Sequence, residues 1–136
     1  MQERPLFMTQ AAVVTAVGAV HIVALHLYLY WYFPWLDLLV HFSGGLWVAL
    51  VSAWLLLMTR REPTLFVLIA CVIAIGIAWE VFEYTIGMSR GSTFVMDTSL
   101  DILMDLLGGI AGVILARRMR THATISTHEA NQSHTS

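Results

Sequence analysis

The chain has 136 residues, of which 58% are hydrophobic and 12% charged, and its formal net charge is −2 at pH 7. Soluble domains contain about 25% charged residues, so this composition, with a mean hydropathy of +0.74, indicates a membrane protein of one domain. The chain has no lysine and a single cysteine, Cys71. We therefore expect no disulfide within the chain and no nucleic-acid partner, which would need a basic surface.

Four apolar stretches are long enough to cross a membrane as helices, which takes roughly 20 residues each. They lie at about residues 10–33, 35–58, 64–87 and 98–116. Pro34 and Pro63 come just before the second and third stretches, a position that suits a helix start. The sequence predicts an all-α membrane protein whose residues 1–120 form a bundle of four transmembrane helices.

The arginines predict how this bundle is oriented. Six of them flank the ends of the spans that would share one side of the membrane, namely Arg4, Arg60, Arg61, Arg117, Arg118 and Arg120. The positive-inside rule places these arginines, and both termini, in the cytoplasm. Arg90 alone falls on the outer side. Residues 121–136 are polar and without periodicity, which predicts a disordered cytoplasmic tail.

Acidic residues occur where a membrane helix would normally exclude them. Six of the nine lie at or within the spans, namely Asp37, Glu80, Glu83, Asp97, Asp101 and Asp105. Because the spans alternate in direction, all six fall near the outer ends of their helices. His41 follows Asp37 by one turn, and separations of three or four residues place each set on one helix face. We therefore expect the acids to converge.

Glycines extend the same faces toward the cytoplasmic side and predict close helix packing. They are Gly44, Gly45, Gly76, Gly108, Gly109 and Gly112. Small residues at such spacing let membrane helices approach one another closely, so the acidic faces should point to the bundle axis and form a pocket that opens outward. The roles of two residues stay open. Asp97 is either a helix cap or a member of the pocket, and His26, at a depth similar to that of the acids, is either a pocket residue or a structural histidine. We expect His21 to be a hydrogen-bonded core histidine.

Intramembrane acids are costly and usually functional. Carboxylates with an imidazole suit Mg²⁺, Mn²⁺ or Zn²⁺. The predicted metal ligands are Asp37, His41, Glu80, Glu83, Asp101 and Asp105. Glu83 is a ligand or a general base, and Arg90 is expected to hold an anionic head group. A cluster of protonated carboxyls without metal is the other possibility.

Three segments resemble a family of bacterial membrane proteins. "WLDLLVHFSGG", "WEVFEY" and "DTSLDILMDLLGGIAG" are similar to elements of YjdF-like proteins and of the wider VanZ-like set, over residues 30–116. Glu83 and Asp105 stand where VanZ-like proteins often have Gln and Asn, and Arg90 lies further upstream, which favours the YjdF-like branch. The resemblance implies a multi-pass protein of the bacterial cytoplasmic membrane with a role in the cell envelope. It implies no reaction.

Three classes of function fit this pattern. The first is a metal-dependent hydrolase or transferase acting on a lipid or lipid-linked phosphate. The second is a transport or sensing module for a divalent cation or protons, and the third an accessory membrane protein with a structural ion site. A pocket with acids on one side only favours the first.

Overall fold

The computed structural model describes residues 3–87 and 94–133, and for residues 122–133 only the course of the backbone. Within these ranges the chain forms helices and no strand. In chain order they are α1 (Glu3–His26), α2 (Leu29–Tyr32), α3 (Trp35–Met58), α4 (Leu65–Ile86) and α5 (Phe94–Ser133). The predicted all-α fold is confirmed.

Four of the helices are long and apolar enough to cross a membrane. These spans are Glu3–His26, Trp35–Met58, Leu65–Ile86 and Phe94–Thr121. The first differs from the predicted range 10–33. Tyr28 adopts a left-handed backbone conformation with φ 54°, which ends α1 and separates the short α2. Because the apolar and aromatic sequence continues across this break, hydropathy alone could not reveal it.

Helix ends follow local sequence signals at α4. The Thr64 side chain accepts a hydrogen bond from the backbone N–H of Val67, as an N-cap does. Gly87 ends the helix with φ 82°, a conformation that favours glycine. Beyond Thr121 the backbone of α5 continues as helix to Ser133, and residues 134–136 lie outside the described ranges. The disorder predicted for 121–136 stays a prediction, as does the cytoplasmic position of both termini.

Helix α3 occupies the centre of the bundle. It packs most extensively against α5 and also contacts α1 and α4. The closest approach uses the predicted glycines: a Cβ on Gly108 would collide with the carbonyl oxygen of Phe42, and one on Gly45 with the backbone of Asp105. A Cβ on Gly112 would lie 2.6 Å from the carbonyl oxygen of Leu46. The small-residue packing expected from the sequence is therefore present between α3 and α5.

The apolar core fills the half of the bundle away from the acids. Its buried members include Leu50, Ala53, Leu68, Val72 and Val113. Many large apolar side chains on the outer helix faces are exposed, as expected of surfaces that face lipid. The acids thus occupy one end of the bundle and the apolar core the other.

Candidate metal centre

The structure brings the six predicted ligands together from three helices. Helix α3 supplies Asp37 and His41, α4 supplies Glu80 and Glu83, and α5 supplies Asp101 and Asp105. Asp37 is half-buried and the other five are buried, with exposed fractions of 4–8%. These six side chains are called the acidic cluster below.

His41 lies at the centre of the acidic cluster. Its Nδ1 is 3.4 Å from Oδ2 of Asp105, a long hydrogen bond whose donor depends on the tautomer. Its Nε2 is 3.9 Å from Oε1 of Glu80 and 3.9 Å from Oδ1 of Asp101. The imidazole therefore has a carboxylate from α5 at one nitrogen, and carboxylates from both α4 and α5 at the other.

Two groups of three side chains lie close enough together to be candidates for binding one metal ion. They are Asp37, His41 and Asp101, and His41, Glu80 and Glu83; in each, one ligand atom per residue lies within 4.8 Å of the others. Atoms bound to one Zn²⁺ at about 2.1 Å can be at most about 4.2 Å apart. The two 3.9 Å separations from His41 Nε2, to Glu80 and to Asp101, are already below this limit, so neither pair of side chains needs to move to share one ion.

Two buried polar atoms at this point have no hydrogen-bond partner within the described ranges. They are Nε2 of His41 and Oε1 of Glu80, and each side chain is about 95% buried. A separation of 3.9 Å is too long for a hydrogen bond. An unsatisfied buried polar atom costs about 1–3 kcal/mol, so a group that binds both atoms would remove two such penalties at once.

Neighbouring side chains orient two of the carboxylates. Thr98 Oγ1 donates to Oε2 of Glu80 at 2.8 Å, and Trp79 Nε1 donates to Oε1 of Glu83 at 2.9 Å. Neither donor was predicted from the sequence. The separation of four residues between Trp79 and Glu83 could have indicated their contact, whereas nothing local pairs Thr98 with Glu80, because these residues lie on different helices.

Glycine makes room for a third carboxylate. A Cβ on Gly76 would lie 2.6 Å from Oδ2 of Asp105, so the carboxylate occupies the space that a side chain on α4 would fill. A Cβ on Gly44 would lie 3.9 Å from Oδ1 of the same residue, which is an ordinary contact. Gly76 therefore leaves the room that the Asp105 carboxylate occupies, whereas a side chain at Gly44 would only touch it.

Other candidates from the sequence lie outside the acidic cluster. His26 is exposed at the end of α1, and Asp97 is exposed in the first turn of α5. His21 has the expected hydrogen bond, at 2.6 Å to the hydroxyl of Tyr30. Arg90 lies outside the described residues, so its expected role at the site stays a prediction.

Among the described residues, His41 alone forms ion pairs with the carboxylates of the acidic cluster. The acidic cluster contains five carboxylates. Carboxylates removed from water and left uncompensated are strongly destabilising. A divalent cation would offset this repulsion, and carboxylates with an imidazole are suitable ligands for one.

Comparison with known proteins places the chain in a family. Residues 3–122 match the family described as "Predicted membrane protein (DUF2238)". Searches of curated proteins and of solved structures found no match. The match does not address the resemblance to YjdF-like and VanZ-like proteins, which stays an interpretation of the sequence. Since the match covers the described bundle from its first residue to the end of the last span, the chain belongs to this family of membrane proteins, DUF2238.

Proposed function

We propose that this protein is a membrane enzyme that binds a divalent metal at the acidic cluster and hydrolyses or transfers the phosphate of a lipid or lipid-linked substrate. The observation that carries the proposal is a pair of buried atoms, His41 Nε2 and Glu80 Oε1, which have no hydrogen-bond partner among the described residues and lie 3.9 Å apart. They lie among carboxylates inside an apolar bundle, where intramembrane ionisable groups usually have a function.

In this proposal the side chains have different chemical roles. Asp37, His41, Glu80, Asp101 and Asp105 are the metal ligands. When bound, the metal would polarise a phosphoryl oxygen and lower the pKa of a bound water. Glu83, whose Oε1 is oriented by Trp79, removes a proton from the water that attacks phosphorus. The phosphorus–oxygen ester bond breaks, and the alcohol leaves with that proton. Arg90 is proposed, from the sequence alone, to bind the head group.

Transport of a cation or a proton is less well supported. A path across the membrane needs polar groups in both halves of the bundle, but the described core opposite the acids is apolar. Gln10 is buried there, and its Oε1 already accepts a hydrogen bond from Trp47 Nε1 at 2.9 Å. A site with acids at only one end of the bundle suits binding or catalysis better than transport of an ion across the membrane.

Phosphate release from phosphatidic acid tests the proposal. The purified protein in mild detergent, supplied with Mg²⁺, Mn²⁺ or Zn²⁺, should release phosphate, and a chelator should abolish the release. Glu83→Gln keeps a hydrogen-bond acceptor for Trp79 but removes the base, so the rate should fall by roughly 10²–10⁴-fold. Glu62→Gln is the matched control, because Glu62 is exposed and pairs with Arg120 at the opposite end of the bundle.

Two results would overturn the catalytic proposal. One is a native protein that binds metal but releases no phosphate from any lipid phosphate, which would leave a structural ion site. The other is release that Glu83→Gln and Glu62→Gln affect equally, because the base would then lie elsewhere or the activity would belong to a contaminant.

A further inference from the structure

A cavity of about 360 Å³ lies between α1, α3 and α4, beside the acidic cluster. Its volume falls in the range of roughly 300–1,000 Å³ found for small-molecule sites. His41 and Asp105 form part of its wall, so it adjoins the acidic cluster directly. Most of the remaining lining is apolar, with Val14, Val48 and Val72 among the residues furthest from the acids.

The cavity opens sideways, toward the surrounding membrane. Three of its lining residues are also exposed: Val14 on α1 by 38%, and Ile75 and Trp79 on α4 by 52% and 39%. Helix α1 packs on α3 but its backbone does not approach that of α4. Across this gap the rings of His21 and Trp79 meet edge to face, with centroids 6.2 Å apart. The opening therefore lies between two membrane spans, where lipid chains are the surrounding medium.

The cavity wall is polar at the acidic end of the bundle and apolar toward the other end. On α3, His41 lies about 9 Å and Val48 about 20 Å from the first residue of the helix. In a bilayer with a hydrocarbon core about 30 Å thick, the cavity would extend from the acidic cluster past the midplane. A lipid in the leaflet at the acidic end has the same arrangement, with its head group near the helix ends and its chains pointing inward.

We propose that this cavity binds one hydrocarbon chain of a lipid whose phosphate head group lies at the acidic cluster. The head-group half of this inference rests on the function proposed above, whereas the chain half rests on the cavity itself. Water is a poor alternative occupant of the apolar part of the cavity, because cavities with apolar walls stay dry. A lipid that enters between α1 and α4 would bring its phosphate to His41 and Asp105 without leaving the membrane.

Gly18 offers a way to fill the cavity without disturbing the helices. It lies in the cavity wall, and a Cβ at this position would meet no atom of the described residues within 4 Å. Gly18→Leu should therefore occupy the space of the chain while the bundle still folds. Ala19→Leu is the matched control, because it adds the same side chain to the same helix at an exposed position outside the cavity.

The test is photocrosslinking with a phosphatidic acid that carries a diazirine near the end of one acyl chain, followed by peptide mapping. In the native protein we expect crosslinks concentrated on residues 14–21 of α1 and 72–79 of α4. Gly18→Leu should reduce them about tenfold, a change that corresponds to a modest loss of binding energy. Ala19→Leu should leave them unchanged, and metal content measured on all three proteins reports whether the acidic cluster is intact.

The outcomes separate the two proposals. Crosslinks spread evenly over the exposed faces of all spans, such as the α5 face at Leu103 and Ile110, would overturn the chain-binding site even if metal is bound. Concentrated crosslinks in a protein that binds no metal would support the chain-binding site and overturn the metal site. Equal crosslinking of Gly18→Leu and Ala19→Leu would also overturn the chain-binding site. If Gly18→Leu fails to fold, the crosslink map of the native protein is the deciding result.

Discussion

At the scale of single residues, the site depends on how each carboxylate is oriented around His41. The imidazole has carboxylates near both nitrogens, and its neighbours are held by a tryptophan, a threonine and a glycine from adjacent turns and helices. Groups that orient ligands in this way usually matter almost as much as the ligands themselves. Substitutions of these supporting residues therefore test the site without removing a ligand.

Gly76→Ala should displace Asp105 from the acidic cluster. The new Cβ would lie 2.6 Å from Oδ2 of Asp105, whereas the same change at Gly44 would place a Cβ at an ordinary 3.9 Å from Oδ1. We expect Gly76→Ala to weaken Mn²⁺ binding, followed by electron paramagnetic resonance, and Gly44→Ala to leave it near the native value. Equal affinities in the two variants would show that Asp105 is not a ligand.

Trp79→Phe should lower the rate of phosphate release while it keeps an aromatic ring in place. It removes the hydrogen bond that orients Oε1 of Glu83, the proposed base. Loss of a hydrogen bond to a charged group costs about 1.5–3 kcal/mol, so kcat should fall roughly 10–100-fold. Trp31→Phe is the control, since Trp31 is 89% exposed, and phosphate release at saturating lipid is measured for both variants. An unchanged kcat in Trp79→Phe would mean that this hydrogen bond does not orient the base.

At the scale of the helices, the contact between α3 and α5 positions ligands from both. Gly45 and Gly108 allow these two helices to approach so closely that no Cβ fits between them, and Asp105 lies one turn before Gly108. The glycines were visible in the sequence, and so was their use in close helix packing, because they follow the acids at helical spacing. Which helices they join was not visible, since several pairings of four spans bury the same faces.

Gly108→Ala should destabilise the bundle. Its Cβ would collide with the carbonyl oxygen of Phe42, which is backbone and cannot turn aside, and overpacking typically costs about 1–3 kcal/mol. Gly18→Ala adds the same methyl group at a position where no atom of the described part of the chain lies within 4 Å. Thermal unfolding in detergent should show a lower midpoint for Gly108→Ala only. A midpoint equal to that of Gly18→Ala would contradict the close packing of α3 on α5.

At the scale of the whole molecule, the sequence predicted the class of fold and the convergence of the acids. The apolar stretches gave the number of spans, and the spacing of Asp101 and Asp105 gave their shared face. The break at Tyr28 could not be predicted, because a left-handed backbone conformation inside an apolar stretch does not change the hydropathy profile. The cavity beside His41 could not be predicted either, because it depends on which helices leave a gap.

The orientation of the bundle is a prediction that accessibility can test. The positive-inside rule places Arg60 and Arg61 in the cytoplasm, so the connection before α3 should lie outside. In a Cys71→Ser background, a membrane-impermeant maleimide applied to intact cells should label Phe33→Cys and not Glu62→Cys; both positions are exposed. The opposite labelling would place the acidic end in the cytoplasm and the proposed substrate in the inner leaflet.

The most direct test of the account is the metal content of the purified protein, measured by mass spectrometry after incubation with Mg²⁺, Mn²⁺ and Zn²⁺. Asp101→Asn removes a buried carboxylate 3.9 Å from His41 Nε2, and Asp97→Asn makes the same change one turn earlier on α5, at an exposed position outside the acidic cluster. We expect a near-stoichiometric metal in the native protein and in Asp97→Asn, and its loss in a folded Asp101→Asn. A native protein without metal under all three conditions would contradict the account and leave a cluster of proton-sharing carboxyls.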